Sequence, residues 1–121
     1  MTKRILIVED QEDSRRILRD LLKSADYEII EAVNGEEALT VAAKQRPDLI
    51  LMDIQLPITD GYEATRRIKA DPTLMHVPVI AVTSYALNGD KAKARAAGCD
   101  DFVPKPYSPR QLLAKIRQLL R

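Results

Sequence analysis

The sequence predicts a doubly wound α/β domain, and three observations predict it. Five short β-like runs alternate with five helix-like segments along 121 residues, with no linker or low-complexity stretch between them. Three of the runs, Ile5-Leu6-Ile7-Val8, Leu49-Ile50-Leu51-Met52 and Val79-Ile80-Ala81-Val82, are uninterruptedly apolar, as strands covered on both faces of a parallel sheet are. The connections are short, and strand–helix alternation with short connections implies right-handed crossovers.

The elements follow in order. The first strand, 5–8, runs into Glu9 and Asp10. The helix after it places Ile17, Leu18, Leu21, Leu22 and Ala25 on one face, and Asp13 is the acid best placed to cap it. The second run, 28–33, mixes acids with apolar residues and belongs at a sheet edge. Asn34 is a helix N-cap ahead of Glu36 and Glu37, whose charges suit the positive end of a helix dipole. The third strand, 49–52, ends on Asp53, and the fourth, 77–82, ends on Thr83 and Ser84. Beyond Leu87 the apolar residues of the fourth helix, 87–97, are alanines, which bury little area. That helix is either a moving part or an ordinary small-residue packing helix. Gly98 follows it as a C-cap. The fifth strand, 101–104, contains Pro104, which confines it to an edge. Ser108-Pro109 opens the last helix with a cap and a proline at its first position, and Leu112, Leu113, Ile116, Leu119 and Leu120 share its apolar face.

Composition narrows the function. Lys+Arg 19 nearly balance Asp+Glu 18, so no global charge points to nucleic acid or membrane, and any electrostatic role is local. Cys99 is the single cysteine, which suits a reducing compartment. No apolar run approaches the ~18 residues of a membrane span. A cytoplasmic single domain over 1–121, with no output domain, is expected.

The polar residues carry the chemistry. Glu9 and Asp10, Asp53, Thr83 with Ser84, and Lys105 all fall at the carboxyl ends of strands, where ligands of open α/β sheets bind. Three carboxylates meeting there repel one another, which a hard cation relieves. Mg²⁺ favours a few carboxylates supplemented by waters and phosphate oxygens. A metal, an ammonium, a hydroxyl and a positioned carboxylate are the parts that phosphoryl transfer needs. Singly, each has a plain alternative: helix cap, turn residue or solvated charge. Their joint arrival at the ends of the right strands favours the functional reading.

The runs I-L-I-V-E-D (5–10), L-I-L-M-D-I-Q-L-P-I-T-D-G (49–61), V-I-A-V-T-S-Y-A (79–86) and F-V-P-K-P (102–106) resemble the receiver domain of two-component response regulators, and the resemblance covers the whole chain. It implies a (βα)5 flavodoxin-like fold with a parallel sheet of order 2-1-3-4-5, which the edge placements accommodate. It implies that Asp53 accepts a phosphoryl group from a phosphohistidine on a histidine kinase or phosphotransfer protein. Asp10 would bind Mg²⁺ directly, Glu9 through a water or at the periphery, and Gln55 through its backbone carbonyl. Lys105 would pair with a phosphoryl oxygen, with a cis Lys105-Pro106 bond. Thr83 would hydrogen-bond the phosphoryl group, and Phe102 holds the place of the conformational-switch aromatic, with plain core packing as its alternative. Gln55 and Tyr85 stand where the family tunes phosphate lifetime, and bulky Tyr85 is expected to hinder water attack. Glu9 replaces a frequent Asp, and Thr59 a frequent methionine with little expected effect.

Between Lys91 and Arg121 eight Lys/Arg face two acids. That basic region suits a partner with an acidic patch or, equally, cations placed for helix C-termini and solubility. The resemblance implies that the fourth-helix, fifth-strand and fifth-helix face is the output surface, for a downstream protein or a homodimer. The expected role is a switch rather than an enzyme. An aspartate-nucleophile phosphatase of the haloacid-dehalogenase type needs a second Asp where Gln55 stands. A flavodoxin-like electron carrier needs a Ser/Thr/Gly phosphate loop where Glu9-Asp10 stand. A pseudo-receiver would not keep the acid, Thr and Lys set.

Overall fold

The computed structural model describes residues 2–83 and 90–120. The elements run β1 (Arg4–Val8), α1 (Glu12–Ser24), β2 (Glu28–Ala32), α2 (Gly35–Gln45), β3 (Leu49–Asp53), α3 (Gly61–Ala70), β4 (Val79–Thr83), α4 (Asp90–Ala97), β5 (Asp101–Pro104) and α5 (Pro109–Leu119). The five strands form one parallel sheet in the order β2-β1-β3-β4-β5. The two runs assigned to edges, β2 and β5, are the edges.

Strand periodicity divides the core into two layers. Leu6, Val8, Ile50, Met52, Val79 and Ala81 point to one face, where Ala38, Ala42, Ala64, Ile68 and Ala94 of α2, α3 and α4 cover them. Ile5, Ile7, Leu49, Leu51, Ile80 and Val82 point to the other, under Leu18 and Leu22 of α1 and Leu112 and Ile116 of α5. A continuous apolar strand therefore serves both layers at once.

Asn34 accepts the Glu37 N–H at 2.8 Å and Ser108 accepts that of Gln111, as a cap does. Gly98, at φ +104°, closes α4: its N–H reaches the Arg95 carbonyl and the Cys99 N–H reaches that of Ala94. That pair of bonds is the Schellman pattern, and the left-handed residue it needs favours glycine.

Several local expectations shift. Asp13 does not cap α1; Gln11 is its N-cap with no side-chain bond, and Asp13 lies inside the first turn, where only its charge meets the dipole. Ile17 is 60% exposed, because α1 rests on the sheet through Leu18 and Leu22. β4 starts at Val79 rather than 77, because residues 71–77 close turns through Leu74 N–H to Asp71 and Val77 N–H to Leu74. Pro78, which lacks an N–H, precedes the strand. The expected start of the fourth helix, at Leu87, and the Ser84 and Tyr85 positions lie outside the described residues. Within Asp90–Ala97, only Ala94 and Ala97 are in the core among the side chains described. Methyl-sized burial of this kind contributes only ~1 kcal/mol per residue, so the shallow docking of α4 holds for that stretch.

Candidate functional site

The sheet order sets β1 and β3 side by side, with Val8 opposite Met52, so the residues that follow each strand emerge together. Glu9 extends β1 by donating its N–H to the Ala32 carbonyl. Carboxylate oxygens of Glu9, Asp10 and Asp53 lie within 4.8 Å of one another. Glu9 and Asp53 are buried and Asp10 is exposed.

Lys105 enters from the β5–α5 connection, on the N-terminal side of the cis Lys105-Pro106 bond. Its Nζ donates to Glu9 Oε1 at 2.8 Å and stands 3.4 Å from Asp53 Oδ2. The extra methylene of Glu9 thus spans to Lys105, while its other oxygen accepts the Gln11 N–H at 3.2 Å. Asp53 Oδ1 accepts the Gln55 N–H at 3.0 Å, which turns the β3–α3 loop around the carboxylate. Gly61 makes that turn possible: a Cβ there would come within 2.3 Å of the Asp53 carbonyl oxygen.

Burial, then the hydrogen bond and negative charge of Glu9, push the Asp53 carboxyl up to about 7, against the opposing pull of Lys105 and the Gln55 N–H. Burial also raises Glu9, but hydrogen bonds with Asp53, Lys105 and the Gln11 N–H outweigh it and hold Glu9 below the usual range. Asp10 is raised by burial and by Glu9. Burial disfavours the Lys105 ammonium, yet Glu9 and Asp53 more than compensate and raise its pKa. The pocket therefore concentrates negative charge that one lysine offsets incompletely, a donor set of hard oxygens suited to Mg²⁺.

Thr83 ends β4 fully buried, and the Gln55 side-chain amide donates to its Oγ1 at 2.5 Å. Phe102 is half-buried, packs against the layer under α2 and α3, and flanks a small cavity beside α4. Among the predicted residues described, the structure brings together Glu9, Asp10, Asp53, Gln55, Thr83 and Lys105. Phe102 stands apart on β5.

Sequence reasoning missed three arrangements. Thr59 is buried rather than incidental; its hydroxyl donates to Glu36 Oε1 at 2.7 Å, and Arg67 holds the same oxygen at 2.9 Å. Arg15 donates from Nη1 to the Glu9 carbonyl at 3.0 Å. The basic stretch near the C-terminus is partly spent, since Lys105 serves the pocket and Lys115 pairs with Asp101 at 3.0 Å. No spacing rule marks these side chains; helical proximity of Glu12 and Arg15 at i, i+3 is the one available hint.

A doubly wound parallel α/β sheet with clustered carboxylates, a lysine and a hydroxyl at its carboxyl edge has the parts that phosphoryl transfer needs. The comparisons make this specific. Residues 5–117 match the response regulator receiver domain model, and the chain belongs to that family: it is a response regulator of two-component signalling. It is 46% identical over 120 residues to the polar-differentiation response regulator DivK of Brucella anthropi, covering 99% of this chain and 98% of the relative. A putative response regulator from Chloroflexus aurantiacus superposes with a TM-score of 0.95 at 31% identity, over 99% of this chain and 98% of that one. The receiver domain of a Pseudomonas aeruginosa sensor histidine kinase, solved with magnesium coordinated in its active-site cleft, does so with a TM-score of 0.92 at 36% identity, over 99% and 98%. Among the described residues, no helix is long and apolar enough to cross a membrane.

Proposed function

We propose that Asp53 is the phosphoacceptor of an Mg²⁺-dependent switch. The observation that carries this is the packing of three carboxylates within 4.8 Å against a single ammonium. Asp10 and Asp53 would hold Mg²⁺ directly, the Gln55 carbonyl would add a ligand, and Glu9 would act through a water. A cation held there would neutralise charge on phosphoryl oxygens and on the carboxylates.

The residues divide the work. An Asp53 carboxylate oxygen attacks the phosphorus of a phosphohistidine on a sensor kinase or phosphotransfer protein. The P–N bond breaks, its electron pair stays with the imidazole nitrogen, and an acyl phosphate forms. Burial and Glu9 raise the Asp53 carboxyl to about 7, and a cation held beside it would favour the ionised nucleophile. Lys105 transfers its contact from Glu9 to a phosphoryl oxygen. Thr83 gives up the Gln55 amide for the same group. The donor approaches through the cleft of about 350 Å³ between α1 and the β5–α5 connection, where Ile17, Leu18, Pro106 and Tyr107 lie beside Lys105.

Phosphorylation adds roughly −1.5 to −2 charge. Its differential contacts with Thr83 and Lys105 bias α4, β5 and Phe102 between two arrangements. The α4–β5–α5 face then engages a downstream protein, or a second copy of the chain. The role is that of a cytoplasmic switch that catalyses only its own phosphorylation and dephosphorylation. The reading is tested by incubating the protein with Mg²⁺ and acetyl phosphate and taking intact mass. Wild type should gain one phosphoryl group and Asp53→Asn none; equal gain by both would overturn the assignment.

A further inference from the structure

The peptide that joins Glu9 to Asp10 links two of the three clustered carboxylates, and its carbonyl oxygen is held by a side chain from α1. Arg15 Nη1 donates to that oxygen at 3.0 Å. The same guanidinium donates from Nε to Glu31 Oε1 on β2 at 2.9 Å and pairs through Nη2 with Glu12. Glu31 is itself fixed: Arg19 grips both of its oxygens, at 3.0 and 2.9 Å. The Arg19 hydrogen bonds hold the Glu31 carboxyl below the usual range, against burial and with help from Arg15. A two-toothed grip of this kind restricts geometry as well as adding attraction. Arg15 is only 13% exposed. It is thus a buckle from β2, across α1, to the backbone between Glu9 and Asp10.

We propose that Arg15 is a positioning residue for the divalent cation, acting through the 9–10 peptide, an inference that rests on the metal-dependent reading above. Asp10 is exposed and needs an outside restraint on its backbone to aim its carboxylate. The Arg15 fork supplies that restraint from the neighbouring strand. Two physical effects of this arginine oppose each other. Its positive charge repels a dication, so charge alone predicts that removing Arg15 tightens metal binding. Its hold on the ligand backbone predicts the reverse, since residues that orient metal ligands typically govern affinity by 10-fold or more. Positioning wins because the charge of Arg15 is already neutralised by Glu31 and Glu12.

The test is calorimetric titration of the phosphate-free protein with MgCl₂. Arg15→Met should weaken Mg²⁺ binding by about tenfold, whereas Arg19→Met, which touches Glu31 but not the Glu9 carbonyl, should stay within about threefold. Unchanged or tighter binding by Arg15→Met overturns the inference. Arg15→Lys covers the case in which the methionine variant fails to fold. Lysine keeps the charge but not the fork, so positioning predicts weaker binding and charge alone predicts unchanged binding; wild-type affinity in this variant also overturns the inference. If wild type binds no Mg²⁺, the metal reading itself falls. If wild type and the Arg15 variants bind alike, only the role of Arg15 falls.

Discussion

Replacing Asp53 with asparagine should make the metal-free protein more stable in mildly alkaline buffer, although it abolishes the proposed function. Each like-charge pair of carboxylates within 4.8 Å costs about 3.5 kcal/mol at an effective dielectric near 20. Asp53 belongs to two such pairs. Lys105, 3.4 Å from Asp53 Oδ2, offsets about 5 kcal/mol on the same scale. Solvent screening at exposed Asp10 trims the remaining ~2 kcal/mol, and burial, the first cause of the raised Asp53 pKa, adds to it, so that about 1–4 kcal/mol is expected above neutrality. Asparagine retains an acceptor for the Gln55 N–H, so the loop bond survives. The pH dependence follows from Asp53 moving from 3.8 to about 7. Between those values the native state holds a proton that the unfolded chain has released, so stability falls as pH rises through that window. The advantage of Asp53→Asn should therefore be absent at the acid end, grow across the window and level off above neutrality. Urea unfolding of both proteins in EDTA across this range measures it. An asparagine variant less stable than wild type above neutrality, or a difference independent of pH, would refute the electrostatic reasoning.

Three further substitutions test the same reading. Lys105→Met leaves Glu9 and Asp53 buried and unpaired, and should cost about 3 kcal/mol in urea unfolding; a loss below about 1 kcal/mol would show that the pair is already solvated. Gly61→Ala drives a methyl into the Asp53 carbonyl and the Ile54 backbone, 2.3 and 2.7 Å away. It should cost about 1–3 kcal/mol and slow phosphorylation by acetyl phosphate, and a silent variant would show the loop to be pliable. Tyr85→Ala should hasten decay of the phosphorylated protein, followed as release of inorganic phosphate; an unchanged rate would remove Tyr85 from lifetime control.

The fold was legible because its strongest signals are local. Ile5 to Val8 and Val79 to Val82 announce doubly covered strands through composition alone, and Asn34, Gly98 and Ser108 mark helix ends through backbone chemistry. The site was legible because topology gathers strand-end residues, so Asp53, Asp10 and Lys105 needed only their places in the chain. What escaped depends on reach through space. Asp13 looked like a cap because its type fits, but α1 starts one residue earlier, at Glu12. Ile17 follows the helical apolar spacing of Leu21, yet α1 meets the sheet through Leu18 and Leu22. Thr59 and Arg15 act through partners 23 and 16 residues away, Glu36 and Glu31, and no periodicity connects such pairs.

The central claim is that Asp53 carries the phosphoryl group. An aspartyl phosphate is an acyl phosphate, which borohydride reduces to homoserine while leaving free aspartate intact. The protein is phosphorylated with acetyl phosphate and Mg²⁺, reduced, digested and mapped by mass spectrometry. Homoserine should appear at position 53, and only when both Mg²⁺ and the phosphodonor are present. Homoserine at Asp10 or elsewhere, or phosphorylated protein with aspartate retained at 53, would contradict the account.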